Sequence, residues 1–259
     1  IHKVILPDGS ARAVKILRPN IERAVANDLE SLRLAANVAD RFVPAARRLE
    51  PRAFVAEVAG ATLKEIDLRI EAAAADEFRE ILAKDNYLCA PKVDWARSGR
   101  RIATTDWIDG IPLSDDQALT RAGADKKLLA RKLVQGFLAS ALDHGFFHAD
   151  MHEGNFILGN DGQLWAVDFG IMGRINHAER RYLAEILWGF IKRDYRRIAQ
   201  VHFDAGYIKP DQSVDDFALA LRAVGEPLQG KTADRISMAR VLLQLFDVTA
   251  QFGMHLRPE

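Results

Sequence analysis

The sequence has few of the features that mark secreted, membrane-spanning or nucleic-acid-binding proteins. Its single cysteine, Cys89, cannot form an internal disulfide, so nothing indicates an oxidising compartment. No stretch approaches the roughly 18 consecutive apolar residues of a spanning helix, and no signal-peptide pattern opens the chain. Lys plus Arg and Asp plus Glu each number 36, a balance that argues against a dominant nucleic-acid surface.

The order of predicted elements indicates an α+β protein with two lobes. Of the 259 residues, 49% are apolar, enough to bury a sizeable core. Strands and helices at 1–109 form a small lobe, and 110–259 form a mainly helical lobe that contains one hairpin, at 156–167. Between them, 107–112 read as an extended linker. The helical stretch at 51–84 is expected to break near Gly60, because glycine disfavours helix interiors.

The most informative segment is His148-Ala149-Asp150-Met151-His152-Glu153-Gly154-Asn155, which is followed by a hairpin and by Asp168-Phe169-Gly170. Phosphoryl transfer requires positioning and neutralisation of phosphate charge. Asp150 is placed to orient or deprotonate an attacking hydroxyl group. Asn155 and Asp168 supply oxygen ligands to Mg²⁺, which completes its shell with phosphates and water. The nearest potential co-ligands of His152 are carboxylates and amides, so His152 is interpreted as a residue that orders the loop.

A lysine inside an apolar strand adds a second part of the pattern. Lys15 lies in Ala13-Val14-Lys15-Ile16-Leu17, and a buried lysine requires a partner because an unpaired buried charge is costly. The alternative is an edge lysine with its ammonium in water. In a nucleotide-binding lobe, Lys15 is the natural ligand of the α- and β-phosphates, and a helix glutamate, Glu65 or Glu71, is expected to position it.

Five segments together resemble the UbiB (ADCK) family of atypical kinases, and they occur in the family's order along nearly the whole chain. They are Ala-Val-Lys-Ile-Leu-Arg-Pro at 13–19, Glu-x-Asp-x-x-x-Glu-Ala at 65–72, Trp-Ile-Asp-Gly-Ile-Pro at 107–112, His-Gly-Phe-Phe-His-Ala-Asp-x-His-x-Gly-Asn at 144–155 and Asp-Phe-Gly at 168–170.

This resemblance implies a protein-kinase-like fold that binds ATP with Mg²⁺ or Mn²⁺. It assigns the phosphate-binding lysine to Lys15, its ion-pair partner to Glu71, and the catalytic aspartate to Asp150. By the same resemblance, the metal ligands are Asn155 and Asp168, and the family's E-x-D pair is Glu65 and Asp67. The adenine-binding hinge corresponds to Thr105, Asp106, Trp107 and Ile108.

The resemblance also implies a biological setting. The family supports ubiquinone biosynthesis, so a lipid or quinone-precursor ligand is expected, at the cytoplasmic side of a bacterial inner membrane. The family's N-terminal Lys-x-Gly-Gln extension and its alanine-rich nucleotide loop are expected before Ile1, and membrane-associating segments beyond Glu259. Met151 and Glu153 replace the two prolines of the family's loop, which loosens the backbone but removes no ligand.

The acceptor of the phosphoryl group is expected to be something other than a protein. Only five residues separate Gly170 from Asn176, where the helical pattern resumes, and no long peptide-docking segment intervenes. ATP hydrolysis or phosphorylation of a lipid or another small molecule is therefore favoured. Two alternatives remain open: a small-molecule kinase similar to the aminoglycoside and choline phosphotransferases, and a pseudokinase scaffold that binds nucleotide without turnover.

Overall fold

The computed structural model describes residues 1–43, 51–231, 235 and 237–254, without the side chains of Ala61, Lys64, Glu65 and Met238. The strands are β1 His2–Ile5, β2 Ala11–Ile16, β3 Ile102–Asp106, β4 Gly110–Pro112, β5 Phe146–His148, β6 Phe156–Gly159, β7 Leu164–Ala166 and β8 Met172–Arg174. The α-helices are α1 Ile21–Phe42, α2 Pro51–Glu65, α3 Leu68–Leu82, α4 Asp116–Arg121, α5 Lys126–Ala139, α6 His177–Lys192, α7 Tyr195–Asp204, α8 Val214–Gly225 and α9 Met238–Gln251.

The first sheet places Lys15 beside a strand from much later in the chain. It is antiparallel, with strand order β1-β2-β3, and the turn between β1 and β2 contains Gly9 at φ +82°, which favours glycine. In this register Lys15 pairs with Ala103 and Ala13 pairs with Thr105. Because side chains alternate along a strand, Ala13, Lys15, Ala103 and Thr105 share one face of the sheet.

Helix α3 packs into a core shared with the second half of the sequence. Asp67 begins the helix by accepting a hydrogen bond from the Arg69 backbone N–H. The buried face of α3 contributes Leu68, Ala72, Ala75, Phe78 and Leu82 to a cluster that also contains Leu88, Ala90, Val93, Ala103, Phe146, Phe156, Leu164, Ala166 and Phe169. This packing fixes the side of α3 that bears Glu71.

Two small sheets hold the loop that contains Asp150. One sheet has the order β4-β6-β7 and the other consists of β5 and β8. The chain leaves β5 at His148 and reaches β6 at Phe156, and then turns through 160–162 into β7, which ends two residues before Asp168. The Val167 N–H donates to the Asn155 carbonyl at 3.0 Å, so the ends of the loop and the hairpin lie side by side.

By compactness the chain divides into two units. One comprises Ile1–Ser140 and Phe146–Gly173, and the other comprises Ala141–Gly145 and Arg174–Glu259. The boundary at 109/110 stays a prediction. The described part of the second unit is helical, with a core of Tyr195, Ile198, Ala199, Ile208, Phe217, Leu221, Val224, Val248 and Phe252. Among the described helices, none has the length and apolar character to cross a membrane.

Three local predictions were wrong. Helix α2 continues through Gly60, and the interruption comes at Ile66–Asp67, because Asp67 can cap a new helix whereas a glycine alone does not end one. The strand expected at 92–95 is reduced to a bridge from Val93 to Thr105, followed by a 3-10 turn. The segment 107–112 is not a free linker, since its end forms β4 and pairs with β6.

Candidate functional site

Lys15 lies between two carboxylates that come from distant parts of the sequence. Its Nζ is 2.6 Å from Glu71 Oε1 and 3.2 and 3.3 Å from the two carboxylate oxygens of Asp168. The side chains of Lys15 and Glu71 retain 31% and 14% of their exposure. Of the two glutamates considered, Glu71 therefore contacts the lysine, while the Glu65 side chain lies outside the described residues.

Burial and neighbouring charge shift the pKa values of Lys15 and Glu71 in opposite directions. Burial by itself lowers the pKa of Lys15, but the hydrogen bond that Lys15 donates to Glu71 and the charges of Glu71 and Asp168 outweigh it and raise that pKa. Burial raises the pKa of Glu71, and the neighbouring Lys15 ammonium opposes this rise. The lysine is therefore held as a cation, and the two carboxylates direct it into the site.

The loop after β5 is ordered by hydrogen bonds among its own residues. The Asn155 Nδ2 donates to the Asp150 backbone carbonyl at 2.9 Å and to Asp150 Oδ2 at 3.2 Å. With its nitrogen used in this way, the amide oxygen of Asn155 remains available as a ligand. Asn155 is 7% exposed, so its orientation is fixed by packing as well as by these bonds.

His148 connects this loop to the Asp168 turn. Its ring is 1% exposed and accepts the Asp150 backbone N–H at Nδ1, at 3.1 Å. Its Nε2 lies 2.5 Å from the Asp168 carbonyl oxygen, and only a donor satisfies that acceptor, so the Nε2–H tautomer is required. Burial lowers the pKa of His148, which favours this neutral form.

Sequence reasoning gave His148 no role of its own. The signal was present in the sequence, because a histidine at the end of an apolar strand, two residues before the candidate catalytic aspartate, requires polar partners once it is buried.

The Asp168 turn is anchored by its neighbours. Phe169 is 3% exposed and packs edge-on against Phe78 of α3, with ring centroids 6.1 Å apart. The Gly170 N–H donates to Asp168 Oδ1 at 3.1 Å. The carboxylate of Asp168 therefore projects from a fixed backbone, beside Lys15.

The oxygens in this region are of the kind that Mg²⁺ prefers. Asn155 and Asp168 offer an amide oxygen and a carboxylate, and such a pair suits an ion that completes its shell with phosphates and water. Within the described ranges, no group of three or more His, Cys, Asp or Glu side chains is arranged to bind a metal by itself. The residues thus fit a metal that arrives with a phosphorylated ligand.

A narrow cavity of about 30 Å³ lies beside Lys15 and Glu71. Its other walls are mostly small side chains: Ile1, Ala13, Ala72, Ala75, Ala103, Thr105, Val167 and Phe169. Thr105 is thus the one residue of the predicted adenine hinge that lines this cavity.

Other predicted site residues have local partners. Asp67 caps α3 and binds the Arg69 side chain, and this hydrogen bonding lowers the pKa of Asp67 to about 2. Asp106 ends β3 and lies 3.3 Å from Arg12. The Trp107 indole donates to Asp109 at 2.8 Å. The roles assigned to the E-x-D pair and to 105–108 stay predictions.

The site defines a kinase-like protein by three features. They are a strand lysine paired with a helix glutamate, a loop that runs from an aspartate to an asparagine, and an Asp-Phe-Gly turn after a hairpin. The ABC1 atypical kinase-like domain matches residues 1–202, and the UbiB helical domain matches residues 221–259. The chain belongs to the ABC1/UbiB family of atypical kinases.

Named relatives agree with this assignment. The probable protein kinase UbiB of Marinobacter nauticus is 35% identical over 263 residues, covering 100% of this chain and 48% of that protein. The probable protein kinase UbiB of Aeromonas salmonicida is 38% identical over 256 residues, covering 97% and 47%. The chain thus spans about half the length of these curated relatives.

The fold is also similar to the Rv3197–erythromycin complex from Mycobacterium tuberculosis. The TM-score is 0.66 at 22% identity, covering 97% of this chain and 70% of that one. At this level of identity, the likeness shows the kinase-like fold alone, and it confirms the predicted fold class.

Proposed function

We propose that this chain binds ATP with Mg²⁺ or Mn²⁺ and transfers or hydrolyses its terminal phosphoryl group, in support of ubiquinone biosynthesis. The acceptor is water, a lipid or another small molecule. The observation that carries the proposal is the position of Lys15, within 2.6 Å of Glu71 and 3.2 Å of Asp168. A cation held between a helix carboxylate and an Asp-Phe-Gly aspartate suits the binding of phosphates beside a metal.

Each residue has a chemical task in this proposal. Lys15 neutralises charge on the α- and β-phosphates, and Glu71 holds the ammonium in place. Asn155 and Asp168 hold the metal, which neutralises phosphate charge when it is bound. Asp150 orients the attacking hydroxyl or water and accepts its proton. The Asp150 backbone donates its N–H to His148 Nδ1 and accepts from Asn155 Nδ2 at its carbonyl, and these two hydrogen bonds fix the backbone that carries the Asp150 side chain.

The segment after Asp-Phe-Gly supports an acceptor other than a protein. Met172–Arg174 forms a strand directly after the turn, and Asn176 then caps α6 with a capping box in which Glu179 takes part. This part of the chain therefore contains no long loop of the kind that docks peptides in protein kinases. Phosphorylation of a peptide at a rate comparable to ATP turnover would contradict this part of the proposal.

The setting proposed for the longer protein is the cytoplasmic side of a bacterial inner membrane, with a lipid or quinone precursor as a further ligand. This rests on family membership, on the curated relatives' UbiB names, and on their greater length.

Thermal unfolding with and without Mg-ADP tests the nucleotide site. A ligand present at 100 times its Kd stabilises the folded state by about 2.7 kcal/mol, which corresponds to roughly 5–10 °C for a chain of this size. We expect a magnesium-dependent shift that Asp168→Asn abolishes. Asp28→Asn, an exposed aspartate on α1, is the matched control and should keep the shift.

A chain extended upstream of Ile1 should be measured in parallel, because the family's nucleotide loop is expected there. Absence of a shift in both chains would contradict nucleotide binding. Where the shift is present, Asp150→Asn separates an enzyme from a scaffold: we expect it to keep the shift and to lose ATP turnover. Binding without any wild-type turnover would favour the scaffold.

A further inference from the structure

The ring of His152 is held in one orientation by its own loop. Its Nδ1 accepts the Gly154 backbone N–H at 3.0 Å. A Cβ at position 154 would lie 2.9 and 3.0 Å from two atoms of this ring, so only glycine permits the ring to lie so close. Because Nδ1 is an acceptor, the neutral ring carries its proton on Nε2.

The protonated nitrogen is directed at the candidate catalytic aspartate. His152 Nε2 lies 3.5 Å from Asp150 Oδ2, the same oxygen that Asn155 Nδ2 approaches at 3.2 Å. A separation of 3.5 Å is longer than a normal hydrogen bond, but hydrogen bonds of this kind often shorten when a substrate is bound. Two donors thus converge on Oδ2, and Oδ1 is the oxygen left for a reacting hydroxyl group.

We propose that His152 is a positioning residue for Asp150: its Nε2–H holds Oδ2, so that Oδ1 faces the acceptor. This rests on the proposed function and adds a residue to it. The competing explanation is the one favoured by the sequence, in which His152 only orders the loop; in the structure that role belongs to Nδ1. The side chains of His152 and Asp150 are 58% and 41% exposed, so packing does not prevent rotation of the Asp150 carboxylate. A hydrogen-bond donor beside Oδ2 limits that rotation.

Two substitutions test the roles of the two His152 ring nitrogens separately. In His152→Asn the amide oxygen takes the place of Nδ1 and keeps the acceptor for Gly154, but nothing reaches Asp150. In His152→Gln the amide nitrogen takes the place of Nε2 and keeps the donor for Asp150, but the Nδ1 acceptor is lost. His177→Asn, at the exposed start of α6, is the matched control and should resemble the wild type.

For the proposed role, we expect His152→Asn to lower kcat for ATP hydrolysis by roughly 10–100-fold, as removal of an orienting group does elsewhere. KM and the Mg-ADP melting shift should be nearly unchanged, and His152→Gln should restore most of the rate. The opposite order, with Asn active and Gln inactive, would mean that only loop ordering matters and would overturn the proposal. Full activity in both variants would overturn it as well.

Nitrogen NMR of the histidine side chains gives a readout that does not depend on turnover. The His152 signals, assigned by their loss in His152→Gln, should show the Nε2–H tautomer and should change in Asp150→Asn. This response supports the proposal even where both substitutions reduce kcat equally, and its absence refutes the proposal. Failure of the proposed function is seen separately, as absence of the Mg-ADP shift in wild-type protein.

Discussion

Removing Lys15 is expected to destabilise the protein more than removing either of its partners. Lys15 forms ion pairs with both Glu71 and Asp168, so Lys15→Met leaves two carboxylates facing each other without a cation. Glu71→Gln, in contrast, leaves Lys15 paired with Asp168. The two substitutions therefore differ in the charge that remains, although each removes the same ion pair.

The magnitudes follow from burial. Breaking a fully buried pair costs about 3–5 kcal/mol, and exposed pairs contribute about 0–1 kcal/mol. With Lys15 31% exposed and Glu71 14% exposed, an intermediate value applies. We expect a loss of about 2–3 kcal/mol for Lys15→Met and about 1 kcal/mol for Glu71→Gln. These losses correspond to roughly 5–10 °C and 2–4 °C in melting temperature.

Thermal melting of both variants and of the double variant at neutral and mildly acidic pH provides the assay. In Lys15→Met, Glu71 loses its cation, so the pKa of Glu71 rises further and protonation of Glu71 relieves the repulsion. The folded state then binds more protons than the unfolded state, and the deficit against wild type shrinks as pH falls. Adding Glu71→Gln to Lys15→Met should also recover stability. A larger loss in Glu71→Gln than in Lys15→Met would refute this reasoning.

Three further predictions concern packing, capping and pH. Phe78 is fully buried against Phe146 and Phe169, so Phe78→Ala should cost about 3–5 kcal/mol in denaturant unfolding; a loss below about 1 kcal/mol would contradict this packing. Asn176→Ala removes both side-chain bonds to the start of α6 and should cost about 1 kcal/mol, whereas Asn176→Asp should retain most of the stability. Burial lowers the pKa of His202, so the unfolded state binds more protons and the free energy of unfolding falls as pH drops below about 6.5. His202→Phe should reduce this loss of stability at acidic pH, and an unchanged pH dependence would contradict the prediction.

Local signals in the sequence were sufficient for the hairpin of β6 and β7 and for the start of α6. The turn at 160–162 lies between β6 and β7 as predicted, because glycine turn chemistry acts over four residues. The capping box of Asn176 likewise depends on residues three positions apart. Gly60 shows the limit of this reasoning, since its helix penalty of about 1 kcal/mol is small beside the packing of α1 against α2, and the helix continues through it.

The sequence by itself identified the candidate residues for the proposed chemistry, because the order and spacing of the Asp150 loop and the Asp-Phe-Gly segment are properties of the chain. Only the tertiary structure decided which partners meet. Lys15 contacts Glu71 across 56 positions and Asp168 across 153, and no local rule acts over such distances. The tertiary structure also decided that Nδ1 is the acceptor in both His148 and His152, since the direction of a ring nitrogen depends on the backbone around it.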